Sequence, residues 1–182
     1  MRLIVSVTGK DRPGIIAAVT KTFYELGGNL EDASMTILAG EFAMILLVSF
    51  RAVARHKVLA KNLKQLEKKL KLSITVQRLS ERTWPSQSRS VISIPHLILI
   101  FGRDRAGIVY RVSHVLAQNK LNITDLNSKL IMTKEMKAIY ALLIEVDIPK
   151  KFLVGRLQQK LQQIAKTLQV DLSLKPVEPI MF

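Results

Sequence analysis

The chain of 182 residues has room for one ordinary domain or two small ones, and 48% hydrophobic with 23% charged residues is the composition of a folded protein. It contains no cysteine, which excludes a disulfide framework and any thiolate metal site, and no apolar run approaches the roughly 18 residues of a membrane span. A formal net charge of +14 directs attention to anionic partners, nucleic acid first.

In chain order, LIVSVT (3–8) is short, apolar and β-branched, as a strand is. GKDRPG (9–14) follows as a glycine-bounded turn, and Ile15, Ile16, Val19, Phe23 and Leu26 then recur at helical spacing. Asp11 stands where an N-cap is wanted, Pro13 is expected in the first helical turn, and Gly27-Gly28 should end the helix in a left-handed cap. Strands are expected at 29–38 and 41–50 about a turn at Ala39-Gly40. A helix over roughly 53–71 carries Leu59, Leu63, Leu66 and Leu70 on one stripe, and a strand follows at 72–79. ERTWPSQSRSVISIP (81–95) has no sustained period and reads as a linker.

Beyond the linker the series is written again. LILIF (97–101) precedes GRDRAG (102–107), and Ile108, Val109, Val112 and Leu116 mark a helix. The strands NITDLNSKLIM and KAIYALLIEVDI follow. A helix over roughly 150–168, with Leu153, Leu157, Leu161, Ile164 and Leu168, and a strand VDLSL (170–174) complete the series. At a shift of 93 the stretch 9–34 aligns without gaps, with Gly9/Gly102, Asp11/Asp104, Arg12/Arg105, Gly14/Gly107, Ile15/Ile108, Val19/Val112, Asn29/Asn122 and Asp32/Asp125 identical. Matching Leu46-Leu47 to Leu142-Leu143 at a shift of 96 places three extra residues near Thr133–Lys137.

Strand-helix-strand-strand-helix-strand, twice, predicts an α+β fold of two tandem ferredoxin-like βαββαβ units. Residues 1–80 form the first, 81–95 the linker, and 96–182 the second with a short C-terminal tail. FAMILLV and AIYALLI do not alternate with polar residues, which predicts strands covered on both faces, by the sister unit or by a second chain.

The repeated hexamer suits recognition of a small zwitterion. A helix N-terminus offers unpaired N–H groups to a carboxylate, Gly14 lets a ligand approach the backbone, and the amide of Asn29 or Asn122 can donate or accept. The candidate ligand set is Gly9, Asp11, Arg12, Gly14, Ile15 and Asn29, with Asp104, Gly107, Ile108 and Asn122 in the second copy. The plain alternative is that Asp11 only caps the helix, the glycines serve turn geometry, and Arg12 and Arg105 are merely solvated.

DRPGI after the first strand, GGN at the second and GEFAMILLVS in the third resemble the ACT domain, over roughly residues 1–80 and 96–176. The branch they resemble is that of the glycine cleavage system transcriptional repressors and their close relatives. The resemblance implies a regulator without catalysis or cofactor whose ACT domains pair, as in a homodimer. It implies a small amino acid such as glycine bound near the first loop, at or beside a domain interface, and action through a partner transcription factor. The second copy departs from the pattern at Ala106 and at Lys120-Leu121.

The excess charge lies on the two second helices. Residues 51–71 and 150–168 carry net charges of +7 and +5, twelve of the fourteen. With the leucine stripes facing the sheets, the candidate polyanion face is Arg55, Lys57, Lys61, Lys64, Lys68 and Lys160. Such a face solubilises first; beyond that it suits an acidic protein partner or a nucleic-acid backbone. Sequence-specific RNA reading is disfavoured, because GEFAMILL lacks the aromatic order that stacks bases. His56, His96 and His114 are scattered without metal-ligand spacing, so neither a metal nor catalysis is expected. Formyltetrahydrofolate deformylases carry a similar ACT segment, but 182 residues leave no room for their catalytic domain. No signal peptide is visible after Met1, and a cytoplasmic location is the expectation.

Overall fold

A computed structural model of the chain describes residues 1–51, 56–80, 93–132 and 138–177. The chain divides into two compact units, Met1–Ser88 and Arg89–Phe182. In the first, β1 (Arg2–Lys10), α1 (Ile15–Tyr24), β2 (Gly28–Leu38), β3 (Glu41–Phe50), α2 (His56–Leu70) and β4 (Ser73–Leu79) follow in order. The second has β5 (Ser93–Gly102), α3 (Ile108–Gln118), β6 (Asn122–Met132), β7 (Ala138–Pro149), α4 (Val154–Leu168) and β8 (Val170–Pro176). Each is the expected βαββαβ unit, with an antiparallel sheet ordered β2-β3-β1-β4 or β6-β7-β5-β8. Among the described residues no helix is long and apolar enough to cross a membrane.

The helices cover one face of each sheet, and the cores follow the predicted periods. Val5, Val7, Leu46, Val48, Ile15, Val19, Phe23, Leu59 and Leu63 close the first core. Ile98, Ile100, Ile144, Val146, Ile108, Val112, Leu116, Leu157 and Leu161 close the second. Burial alternates along β3 despite its continuous apolar sequence: Phe42, Met44, Leu46, Val48 and Phe50 face the helices, while Ile45 is 56% exposed on the outer face. The pleat forces that alternation whatever the side chains are.

Several boundaries differ from the expectation. Ser93–Pro95, read as the end of the linker, already belong to β5. Leu153, expected on the leucine stripe of the last helix, is its N-cap residue and 66% exposed. The two units also superpose differently than the leucine pairs suggested. Val5 pairs with Leu46 and Ile98 with Ile144, so β3 maps onto β7 at a shift of 98. The hairpin of the second unit is thus five residues longer, not three. A two-residue slip preserves which face a side chain occupies, so hydrophobic pattern alone does not separate the two registers.

Turn chemistry accounts for the remaining joints. Ala39 and Gly40 both adopt positive φ, the backbone a two-residue hairpin requires. Gly27 is left-handed after α1, while Gly28 lies within β2, where a Cβ would come 2.8 Å from the Phe50 ring. Its counterpart in the second unit, Lys120, takes the same left-handed conformation as Gly27 with a full side chain.

Candidate functional site

Each part of the repeated hexamer has a structural task. The helices start later than expected, at Ile15 and Ile108, so Pro13 precedes the first turn. The N-cap residues are Gly14 (φ 93°) and Gly107 (φ 92°), and neither helix has a side-chain cap. Asp11 and Asp104 are therefore not caps: each lies three residues before the N-cap, too early to meet the first-turn N–H groups. The backbone N–H of Asp11 instead donates to the Gly40 carbonyl at 2.9 Å, tying the loop to the β2–β3 turn. Asp11 is exposed, and its carboxylate has no hydrogen-bond partner among the described residues.

The arginines are not merely solvated. Arg12 donates to the Leu70 carbonyl, at the C-terminal end of α2, where a cation also meets the negative end of the helix dipole. Arg105 donates to Gln169 Oε1 at 2.6 Å, at the C-cap of α4. The difference has a simple cause. Gln169 occupies the position of Lys71, whose ammonium cannot accept, so Arg12 must take the backbone carbonyl. Gly9 and Gly102 serve close packing: a Cβ would lie 2.7 Å from Leu72 Cδ2 in the first unit and 2.7 Å from Val170 Cγ1 in the second.

A groove beside Gly14 is open to a ligand. Asp11, Arg12, Pro13, Gly14, Ile15, Ile16, Ala17, Met35, Ile37 and Phe42 line an open pocket of about 590 Å³. Ile16, Met35 and Ile37 are exposed there, whereas Ile15 and Phe42 are buried beneath them. Sequence reasoning named the loop but missed Met35, Ile37 and Phe42. Pairing β2 to β3 outward from the Ala39-Gly40 turn would have found them, because Met35 and Ile37 share the helix-side face with Met44 and Phe42. A Cβ at Gly14 would meet nothing within 4 Å, so the backbone is approachable from the groove.

The structure does not bring Asn29 to this loop. Asn29 pairs with Ser49 at the opposite end of the sheet, eight residues or about 26 Å of strand from Ile37. Asn122 pairs with Asp147 at the corresponding end of the second unit. Around Gly107 the surroundings are fuller than around Gly14: Tyr110 and Arg111 stand where the first unit has Ala17 and Ala18, and Arg111 Nε is 3.9 Å from a Cβ built on Gly107. Ser128, Leu130 and Tyr140 replace Met35, Ile37 and Phe42.

Among the basic candidates, Lys61, Lys64 and Lys68 on α2 and Lys160 on α4 are exposed. Arg55 and the side chain of Lys57 lie outside the described residues. His96 is buried with Nδ1 2.9 Å from the Ile94 carbonyl, and exposed His114 stacks on Tyr110 at 5.6 Å. Among the described residues no three His, Cys, Asp or Glu side chains gather in a way that could hold a metal ion.

The comparisons with known proteins agree with this architecture. A UPF0237 protein of Methanocaldococcus jannaschii is 39% identical over 77 residues, spanning 42% of this chain and 86% of its own. The glycine cleavage system transcriptional repressor of Escherichia coli is 26% identical over 129 residues, spanning 70% of this chain and 64% of the repressor. A solved structure of a protein of unknown function from Galdieria sulphuraria superposes with a TM-score of 0.80 at 27% identity, covering 97% of this chain and 98% of that one. The ACT domain pattern matches residues 1–77 and again 95–175, one match for each βαββαβ unit. With both units matched, the chain belongs to the ACT domain family.

Proposed function

We propose that the chain is a non-catalytic cytoplasmic regulator whose first unit binds a small amino acid in the groove beside Gly14 and transmits that state to a protein partner. The similarity to a glycine cleavage system transcriptional repressor supports the regulatory class, with a glycine-like effector and a transcription factor as partner. The observation that carries the binding site is the N-terminus of α1: a left-handed glycine stands at the N-cap and no side chain caps the helix, in a groove open to solvent. Those N–H groups and the helix dipole favour a carboxylate. The Asp11 carboxylate is placed to receive an ammonium group, and Ile16, Met35 and Ile37 offer an apolar wall to a side chain.

Asn29 and Asn122, distant from the loops of their own units, contribute only if ACT units pair so that the strand start of one faces the loop of another. Such pairing, within a homodimer, also covers the outer sheet faces on which Ile45 is exposed. The crowding by Tyr110 and Arg111 makes the Gly107 loop the weaker of the two sites.

Calorimetry and thermal melts of the full chain with the common amino acids at millimolar concentration test this reading. At least one should bind, and Ile37→Asp should abolish the heat while leaving the unliganded fold intact. Coupling to a partner is expected in the usual range of about 1–3 kcal/mol. Silence across the whole series overturns the proposal.

A further inference from the structure

The lysines of α2 have no part in the groove, and the duplicated fold supplies their control. Lys61, Lys64 and Lys68 are exposed at helical spacing, Lys57 stands one turn before them, and exposed Lys69 and Lys71 follow at the C-terminal end. α2 maps onto α4 at the same shift of 98, and the buried positions agree: Leu59 with Leu157 and Leu63 with Leu161. The lysine positions do not. Where α2 has Lys57, Lys61 and Lys64, α4 has Gly155, Gln159 and Gln162; only Lys68 has a basic counterpart, Lys166. α4 carries its own exposed cations, Arg156, Lys160 and Lys166, but it packs on its sheet without charge at the positions of Lys57, Lys61 and Lys64.

The stripe is also uncompensated. Glu67, the sole acid in α2, accepts from the Ile74 N–H at 2.9 Å and is thereby turned toward β4. No acid among the described residues forms an ion pair with Lys61, Lys64, Lys68, Lys69 or Lys71. The first turn has no acidic residue, and Arg12 adds a further cation where it binds the Leu70 carbonyl. Like charges three and four residues apart repel, and a helix arranged for its own stability places acids at its start. Solubility alone is served as well by mixed charges.

We propose that the exposed face of α2 docks on the phosphodiester backbone of a nucleic-acid duplex, without reading its sequence. Lys57 and Lys68 lie eleven residues apart, about 17 Å along the helix, a length over which one strand of a duplex presents roughly five phosphates. Among the described side chains of α2 the one exposed large apolar residue is Val58, so the face lacks the aromatic and apolar anchors on which a protein interface centres. Among the described side chains of α2 there is also no aromatic with which to stack on bases.

The test is binding of the full chain to a mixed-sequence duplex, followed by fluorescence anisotropy as salt is varied. Binding at low salt should weaken with a log–log slope of roughly −4 to −5, and a scrambled duplex should bind equally. The triple substitution Lys61→Gln, Lys64→Gln, Lys68→Gln should reduce the slope by about 3, at roughly 0.9 for each phosphate no longer neutralised. Arg156→Gln, Lys160→Gln, Lys166→Gln, which removes the same charge from α4, should leave the slope within about one unit of the parent. Thermal melts establish that both variants are folded. Absence of binding at low salt overturns the proposal, as do equal losses in the two variants. Capture of polyglutamate or anionic vesicles in preference to the duplex overturns it too.

Discussion

The two units share a topology and a hexamer but use them differently, and the contrast separates what the motif does for the fold from what it leaves for function. In both, the first glycine lies against the residue that opens the fourth-strand region, the arginine reaches the end of the second helix, and the last glycine adopts positive φ at the N-cap. Those tasks belong to the architecture. In the first unit the neighbours are small, with Ala17 and Ala18 where the second has Tyr110 and Arg111, and a groove lies beside the turn. Duplication kept the structural duties of the loop in both copies while the side chains beside it changed. The second helices diverge in the same sense, with lysines in one unit where the other has glutamines and glycine.

The comparison breaks most readily at Gly102. A Cβ there meets Val170 at 2.7 Å from Cγ1 and 3.1 Å from Cα, and the latter cannot rotate away. Gly102→Ala should cost the second unit about 1–3 kcal/mol, the range for overpacking a tight site, visible as a lowered denaturation midpoint. An unchanged midpoint would show that the hexamer's first glycine is not held there by packing.

The next effect is at the end of the first helix of each unit. Lys120 holds the left-handed conformation that Gly27 adopts without strain. Since such a conformation costs a non-glycine residue about 1–2 kcal/mol and glycine loses up to about 1 kcal/mol in entropy, Lys120→Gly should stabilise by up to about 1 kcal/mol. Gly27→Lys should destabilise. Urea denaturation of both reciprocal variants decides the point, and equal effects in the same direction would contradict it.

A comparable but more screened change is expected from Arg12→Ala, which leaves the Leu70 carbonyl to water. On this exposed surface about 1 kcal/mol is reasonable, and Arg105→Ala, which loses a side-chain partner instead, should cost less. Hydrogen exchange at the C-terminal turns of α2 and α4 would report the difference locally.

The smallest difference is electrostatic and confined to the first unit. A hydrogen bond from Ser49, and then Arg2 at 2.8 Å, hold the Glu31 carboxyl below the usual carboxylate range. The second unit has Thr124 at this position. A depressed pKa stabilises the folded state above the ordinary carboxyl value, and that contribution disappears as the pH falls through the lowered one. Glu31→Gln should therefore melt below the parent at neutral pH, with the gap closing on acidification. A gap independent of pH would place the effect in packing.

Much of this was legible in the chain. Apolar positions at helical and strand spacing are dictated by the faces that must leave water, so the elements, the duplication and the core could be read from local pattern. Asp11 has the type and approximate place of a cap, but these do not show which backbone dihedral begins the helix. Two facts are decided only when distant segments meet. Arg12 finds Leu70 across 58 residues, and Met35 and Ile37 reach the loop only once the hairpin register is set. Sequence by itself determined which faces are apolar and where the charge lies, since both follow from nearest neighbours along the chain. Tertiary structure alone decided which polar groups are already engaged and which side of the loop stays open, because hydrogen-bond satisfaction and steric room depend on contacts between remote parts of the chain.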